Sequence, residues 1–244
     1  MANPTVLTDA VIWYGGYDLS GASNEITMNA ARQENPDSRF SDTVETVYPG
    51  PMTVSVEAKG LWDSALDGPQ FTQLTAPSES WPLTICADGG DNGEASYSIE
   101  AYSFNYSALE AQWGEVLPYR LSAKSKSGGE LHRGRCSFPK ATITASSPSA
   151  KFQHGALSAS QKMVVTTHVF AVDGDWTVYA ISDADAGAGG ETARGNSPVS
   201  ITSAPSSDTF EVAGPVTDTY WYVNVGKNSG TSITCAVAFA IVEA

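Results

Sequence analysis

A two-residue alternation of apolar and polar side chains recurs along the chain and limits its fold more than any other feature. In residues 52–60, MTVSVEAKG, the even positions are apolar up to the final glycine and the odd positions are polar. This period is that of a half-buried antiparallel strand. Strand-like runs also occupy residues 162–172, 175–182, 218–225 and 231–242. Many short strands separated by Gly and Pro turns predict an all-β fold, an antiparallel β-sandwich or barrel.

Two short turns between these runs predict hairpins. Asp173-Gly174 separates one pair of strands, and the Gly/Asn-rich residues 226–230 separate another. Such residues are typical of tight hairpin connections. Helical patterning is weak, and the best candidate is the short segment 105–116, NYSALEAQWGEV.

The strand pattern divides into two successive halves. A soft boundary near residues 114–120 predicts one β module over residues 1–115 and a second β-sandwich module over 116–244, with one continuous domain as the alternative. The first half contains a predicted long loop, residues 38–51, of a length that in compact β proteins is usually functional or interfacial. The turn-then-strand segments YDLSGASNEITM and GALSASQKMVV resemble each other, so a duplication is an open alternative to chance.

Aromatic side chains alternate onto both faces of residues 95–107, ASYSIEAYSFNYS. Tyr97 and Ile99 fall on one face, and Tyr102, Phe104 and Tyr106 fall on the other. A strand that is apolar on both faces is expected to be covered on both, and a neighbouring subunit is one candidate cover.

The charge balance disfavours nucleic-acid binding. The chain of 244 residues has a net charge of −14, with 13 basic residues against 27 acidic ones. Binding to phosphates depends on clustered Lys and Arg. The three cysteines carry no CxxC motif and predict buried free thiols in a reducing compartment. No basic signal sequence precedes an apolar core, and no stretch reaches membrane-spanning length, so we expect a protein made in the cytoplasm.

Catalytic and ligand-binding patterns are poor. His132, His154 and His168 share no metal spacing, and no GxSxG, HExxH or P-loop motif occurs, which predicts no enzyme and no cofactor. The acidic loops 88–94, 173–175 and 183–187 are weak calcium candidates, since Asp with Gly also makes ordinary turns. A sugar site would use Trp62, Trp81, Trp113 or Trp176, although core packing is the simpler interpretation of tryptophan here.

A longer series of motifs in the chain resembles a known protein family. YGGYDLSGASNEITMNAARQENPDSRFSD, then TVYPGPMTVSVEAKGLWDSALDG, GEASYSIEAYSFNY and GEVLPYRLSAKS, resemble the major tail tube proteins of long-tailed bacteriophages. The second half, from GALSASQKMVV to TCAVAFAI, is similar to a β module of phage virion proteins.

The resemblance implies a structural, non-enzymatic virion protein. Its copies would form hexameric rings, or trimeric rings if the duplication is real, stacked into a tube that conducts viral DNA without binding it specifically. Other tail proteins would be partners, no membrane would be involved, and the location would be the virion tail. A capsid decoration or head-fibre protein is the alternative, and a carbohydrate-binding β module is a third.

The resemblance also implies positions for the interfaces. The loop between successive rings would carry six residues, Asp37, Arg39, Phe40, Asp42, Glu45 and Tyr48. Glu25 and Glu57 lie on alternating strands that would face the lumen, where negative charge would repel the DNA phosphates.

Overall fold

The computed structural model describes residues 9–37, 47–63, 79–108, 112, 115–126, 130–187 and 189–244. These residues contain sixteen strands, which pair antiparallel, and no helix, which confirms the all-β prediction. Among them there is accordingly no helix long and apolar enough to cross a membrane. The strands are β1 (Val11–Tyr14), β2 (Tyr17–Asp18), β3 (Ser23–Pro36), β4 (Val47–Leu61), β5 (Trp81–Cys86), β6 (Ala95–Ala108), β7 (Pro118–Ser125), β8 (His132–Ile143), β9 (Ser147–Pro148), β10 (Phe152–Gln153), β11 (Gln161–Val172), β12 (Trp176–Asp183), β13 (Thr192–Ile201), β14 (Ser206–Ala213), β15 (Tyr220–Lys227) and β16 (Ile233–Glu243).

The chain forms two compact units that are interleaved in the sequence. The first, here called the sandwich unit, contains Met1–Ser20, Trp81–Ser98 and His132–Ala244. The second, here called the hairpin unit, contains Gly21–Ser80 and Ile99–Leu131. This division differs from the successive modules 1–115 and 116–244 expected from the sequence, and the autonomy of those modules stays a prediction.

Two sheets of the sandwich unit enclose the main core. One has the order β14-β11-β16-β8-β6-β5-β1-β2, and the other has the order β10-β15-β12-β13 with β9 beside β15. Trp176 and Trp221 of the smaller sheet pack in one cluster with Val165, Val237 and Phe239 of the larger sheet. Each buried aliphatic side chain contributes roughly 1.5–3 kcal/mol relative to its exposed state, so this cluster is the main source of stability for the unit.

The opposite face of the larger sheet is also buried. Cys235 points into the main core, whereas the next residue, Ala236, packs with Trp13, Cys86 and Cys136 in a second cluster. Successive side chains of a strand lie on opposite faces, so β16 is covered on both. This accounts for the continuous apolar run in its sequence.

The two predicted hairpins are wrong. β11 and β12 belong to different sheets, as do β15 and β16, so both turns cross between the layers of the sandwich. The turns pack on each other: Thr231 N and Oγ1 donate to Asp173 Oδ2 at 3.1 and 2.5 Å, and Asp173 N donates to Ser232 O at 2.9 Å. The Asp-Gly and Asn-Ser-Gly residues thus form paired arches, because a shared core requires the flanking strands to face each other.

The hairpin unit contains one antiparallel sheet with the order β3-β4-β7-β6, to which β6 contributes its residues after Ser98. The predicted alternation of β4 is confirmed, because Val54, Val56 and Ala58 are buried while Glu57 is exposed. The best helix candidate in the sequence is the segment 105–116, around Leu109 to Trp113. Its residues 105–108 continue β6 and pair with β7, and most of its centre lies outside the described residues. The backbone N–H and C=O groups of residues 105–108 form hydrogen bonds with β7 instead of the internal hydrogen bonds of a helix.

The predicted loop 38–51 is shorter than expected at its C-terminal end. Residues 47–51 belong to β4, and Val47 pairs with Pro36 while Tyr48 pairs with Asn35. A register shift between Arg32 and Glu34 marks an irregularity in the ladder. Such a bulge accommodates prolines, which lack an N–H, and lets pairing continue beyond them. Residues 38–46 lie outside the described residues.

Candidate assembly interface

A corner at residues 18–21 precedes the long hairpin. Ser20 N and Oγ donate to Asp18 Oδ1 at 3.0 and 2.5 Å, and Ile12 N donates to Ser20 Oγ at 3.0 Å. Leu19 is fully buried, and its N donates to Ile12 O at 3.0 Å. Side chains of Asp and Ser that bond to nearby backbone are characteristic of tight turns. The chain passes from the sandwich unit to the hairpin unit directly after Ser20.

A lysine from a distant strand holds the same corner. Lys140 Nζ donates to Asp18 Oδ2 at 2.6 Å. Burial raises the pKa of Asp18, but the hydrogen bonds from Lys140 and Ser20 and the charge of Lys140 outweigh it, so the pKa lies below its ordinary value. The carboxylate is therefore held ionised at neutral pH.

The start of β3 lies very close to the end of β4. A Cβ on Gly60 would lie 1.8 Å from Ala22 O, and Leu61 N donates to Ala22 O at 2.8 Å. Only glycine fits such an approach. The hydroxyl groups of Ser23 and Tyr119 are in hydrogen-bond contact across the sheet. The glycine of the GLWD motif is thus a packing requirement of the hairpin.

Strand β3 has one unpaired edge. Among the described strands it pairs only with β4, and it is 14 residues long. Side chains at residues 29–35 are exposed, so this half of the strand is uncovered on its faces as well. A long, uncovered edge strand presents free N–H and C=O groups that can pair with another chain.

Exposed apolar side chains are concentrated in the hairpin unit. The most exposed large apolar residues of the described chain are, with fractions between 48% and 69%, Val47, Tyr48, Leu61, Phe104 and Val116. All five belong to the hairpin unit. Single exposed apolar residues are ordinary on protein surfaces, but their concentration in one unit is typical of an interaction surface.

Phe104 lies at an irregular position of β6. The register with β7 shifts between Ser103 and Asn105, and the Phe104 ring is 57% exposed. Its centroid is 6.5 Å from that of Tyr102 and 5.6 Å from Lys124 Nζ. The shift places Tyr102 opposite Lys124 and Tyr106 opposite Leu121, which lie on opposite faces of β7, so the prediction of Tyr102 and Tyr106 on one face is wrong. Phe104 is uncovered within a single chain.

The predicted inter-ring residues are only partly described. Asp37 and Tyr48 are both exposed near the distal end of the β3–β4 hairpin. The other four, Arg39, Phe40, Asp42 and Glu45, lie outside the described residues. Their contact with a second ring stays a prediction.

The predicted lumen residues share one sheet face with several cations. Cross-strand neighbours place Glu25 beside Lys59 and Lys59 beside Arg120, and Glu25 Oε1 lies 2.5 Å from Lys59 Nζ. Glu57 and Lys124 occupy the same face. This face therefore carries more basic than acidic side chains among these five, in contrast to the chain as a whole.

Sequence reasoning missed several exposed apolar residues. Leu61 falls in the odd-numbered series 53, 55, 57 and 59, whose other members are polar, so its apolar side chain on that face was a readable signal. Val47 lies within the predicted loop 38–51 and Val116 at the end of the weak helix candidate, where no strand period exists to assign a face.

The acidic loop at residues 183–187 binds a lysine of the same chain. Lys151 Nζ lies 2.7 Å from Asp183 Oδ2 and 3.1 Å from Glu191 Oε1, and it also donates to Gly187 O. The hydrogen bond from Lys151 lowers the pKa of Asp183, and the same bond raises the pKa of Lys151. The ammonium group thus occupies the position that a calcium ion would need.

The other two acidic loops serve as turns. Asp173 accepts bonds from Thr231, Asp175 Oδ1 accepts one from Ser200 Oγ at 2.9 Å, and Asp91 N donates to Glu94 Oε2 at 3.0 Å. Within the described ranges no group of three or more His, Cys, Asp or Glu side chains is arranged to hold a metal.

The histidines and cysteines of the sandwich unit are largely buried. His168 Nε2 is 2.8 Å from Thr84 Oγ1, and burial lowers the pKa of His168 to about 3. The three cysteines are free and buried; the pKa of Cys136 is raised by its neighbour Cys86, and burial raises the pKa of Cys235 to about 12. Such thiols are unreactive, because the thiolate is the nucleophile.

The tryptophans proposed for a sugar site divide by position. Trp176 is fully buried in the sandwich core. Trp81 is partly buried and contacts Tyr14 and Tyr17, with centroid distances of 5.9 and 6.1 Å. Trp62 is half-buried, and Trp113 lies outside the described residues. Trp176 therefore belongs to the core.

The chain matches no protein-family model and no curated protein sequence. Among solved structures it is similar to a chain from the virion of a native gene transfer agent particle, with TM-score 0.39 and 11% identity over 50% of this chain and 95% of that one. A chain of the anti-feeding prophage baseplate gives TM-score 0.42 and 10% identity over 54% and 97%. The SPP1 Dit protein, described as a hub adsorption apparatus protein of phages that infect Gram-positive hosts, gives TM-score 0.38 and 10% identity over 96% and 100%.

Proposed function

We propose that this chain is a structural subunit of a bacteriophage tail, and that its copies assemble into stacked rings forming a tube. The observation that carries the assembly is the concentration of uncovered apolar side chains in the hairpin unit. The motif that leads into that unit, DLSG at residues 18–21, and the motif GLWD at residues 60–63 resemble those of major tail tube proteins.

The free edge of β3 supplies a means of association. A neighbouring copy can add a strand to this edge, satisfying its backbone groups and covering residues 29–35. Identical subunits joined head to tail close into a ring when the rotation between them divides a full turn. Six copies per ring is our proposal, with three as the alternative.

The proposed tube conducts viral DNA and meets the other tail proteins at its ends. A net charge of −14 on each copy disfavours retention of phosphates. We assign Glu25 and Glu57 to the lumen, with Lys59, Arg120 and Lys124 on the same face. A mixed face of this kind gives no continuous basic track for DNA.

A pair of charged substitutions tests the interface. We expect Leu61→Glu/Phe104→Glu to remain monomeric where the wild-type chain forms rings, because an interface would have to bury two carboxylates. Leu61 and Phe104 are exposed in the single chain, so the substitutions should not prevent folding. Sedimentation velocity over a range of concentrations measures the difference. The matched control is Ala171→Glu/Ala213→Glu, which adds the same charge at exposed positions of the sandwich unit.

Four outcomes bear on the proposal. Loss of assembly in the hairpin-unit variant alone supports it, and equal loss in both variants assigns the effect to net charge. Assembly of the hairpin-unit variant at wild-type concentrations contradicts it. A wild-type chain that binds empty capsids without forming tubes supports the capsid decoration alternative instead.

A further inference from the structure

A cavity of about 630 Å³ lies in the sandwich unit beside β8 and β16. Its lining includes Arg133, Arg135, His154 and Gln161. Binding sites for small molecules commonly have volumes of about 300–1,000 Å³. The size therefore suits a small organic ligand, and the lining offers several polar groups to it.

The two arginines are placed together by the strand geometry. Arg133 and Arg135 are two residues apart in β8, so both side chains lie on one face of the sheet. The residue between them must be glycine, because a Cβ on Gly134 would lie 1.9 Å from Phe239 O. Arg135 Nη1 also donates to Gly93 O at 3.1 Å, which directs this guanidinium group at the cavity rim.

These two cations have no carboxylate partner among the described residues. By contrast, Lys59, Lys140 and Lys151 each form an ion pair with a carboxylate. Two carboxylates near the lining have other partners: Glu94 Oε2 accepts from Asp91 N at 3.0 Å, and Glu243 accepts from Gln161 Nε2 and Ser160 Oγ at 3.2 Å each. Each guanidinium group presents several N–H donors in a planar fork that matches carboxylate and phosphate oxygens, so two of them on one sheet face suit an oxyanion.

His154 forms an aromatic wall of the cavity, and its pKa depends on the charge nearby. Its ring packs on Phe239 with a centroid distance of 4.5 Å, and its Nε2 is buried with no hydrogen-bond partner among the described residues. Burial, with a contribution from the charge of Arg135, lowers the pKa of His154 to about 4. An anion bound to Arg135 would offset that charge and raise the pKa of His154.

We propose that this cavity binds a small polar ligand through a carboxylate or phosphate group held by Arg133 and Arg135. Binding here is separate from the assembly proposed above, since the cavity belongs wholly to the sandwich unit. Hydrogen bonds to charged groups contribute about 1.5–3 kcal/mol each, so removing both guanidinium groups should weaken binding at least about tenfold.

The test titrates the full chain with defined probes and follows the His154 ring protons by NMR. Inorganic phosphate, glucose 6-phosphate and glucuronate are the anionic probes, and glucose is the neutral one. We expect saturable shifts with an anionic probe, an upward shift in the pKa of His154, and none of these with glucose. Comparing the phosphate and carboxylate probes identifies which group the site prefers.

Two variants complete the test. Arg133→Gln/Arg135→Gln should lose binding at least about tenfold. The control Arg120→Gln/Lys124→Gln removes the same charge from the hairpin unit and should bind as wild type does. Equal affinity of the two variants for an anionic probe overturns the proposal. So does the absence of a saturable shift at millimolar concentrations of every anionic probe. If the arginine variant unfolds, as judged by its melting temperature, Arg133→Gln alone takes its place.

Discussion

Single polar residues fix the corner where the chain leaves the sandwich unit. Asp18 accepts from Ser20 twice through one carboxylate oxygen and from Lys140 through the other. Turn formation alone would need only the Ser20 contacts. The lysine adds a long-range connection, so the DLSG motif fixes tertiary as well as local structure.

Asp18→Asn should destabilise the sandwich unit by about 1–2 kcal/mol, because it keeps an oxygen for Ser20 but loses the charge opposite Lys140. The side chain is 26% exposed, so solvent screening reduces the loss. Urea unfolding at neutral pH measures it. The control is Asp208→Asn, an exposed aspartate whose side chain accepts a hydrogen bond from Thr209 N at 2.7 Å and forms no ion pair within the described residues. It should change the free energy of unfolding by much less. Equal losses would contradict a role for Lys140.

The same corner predicts a pH dependence. The pKa of Asp18 in the folded chain lies below its ordinary value of 3.8. The contribution of Asp18 to the free energy of unfolding is therefore complete above about pH 4 and disappears as the pH falls through the folded pKa. The difference in unfolding free energy between wild type and Asp18→Asn should therefore shrink towards acid pH. A difference that stays constant from pH 7 to about pH 2 would contradict the shifted pKa.

Strand elements divide into those that the sequence predicted and those that it could not. The alternation of β4 gave its buried and exposed faces correctly, because period determines which face is apolar. Period does not determine the partner strand, so Asp173-Gly174 was assigned to a hairpin although its flanking strands lie in different sheets. The cavity at Arg133 and Arg135 had no readable signal, because both arginines lie in β8 while His154 and the β16 residues of the lining are distant in the sequence.

The paired arches should be sensitive to a single methyl group. Gly230 has a φ of +86°, and a Cβ there would lie 2.0 Å from Asp173 O. Gly155 has a similar φ of +90° but open space around it. We expect Gly155→Ala to cost about 1 kcal/mol, from backbone strain alone, and Gly230→Ala to cost more because its arch must also shift. Thermal unfolding compares the two variants, and equal melting temperatures would contradict this account of the arches.

Charge acts at the scale of the whole molecule. Each copy carries a net charge of −14, so copies repel one another during assembly. Raising the ionic strength from about 0.01 M to 0.15 M shortens the screening length from about 30 Å to 8 Å. Light scattering should then show a larger assembled fraction at the higher salt, because the apolar contacts of the hairpin unit are little affected. A smaller fraction would indicate that ion pairs, rather than apolar contacts, hold the copies together.

Assembly of the chain with itself is the central claim, and negative-stain electron microscopy of the purified wild-type protein tests it most directly. The uncovered apolar side chains and the free edge of β3 predict rings at raised concentration, and stacks of rings forming tubes with an open lumen. Particles that remain single, compact monomers at every concentration and salt condition would contradict it.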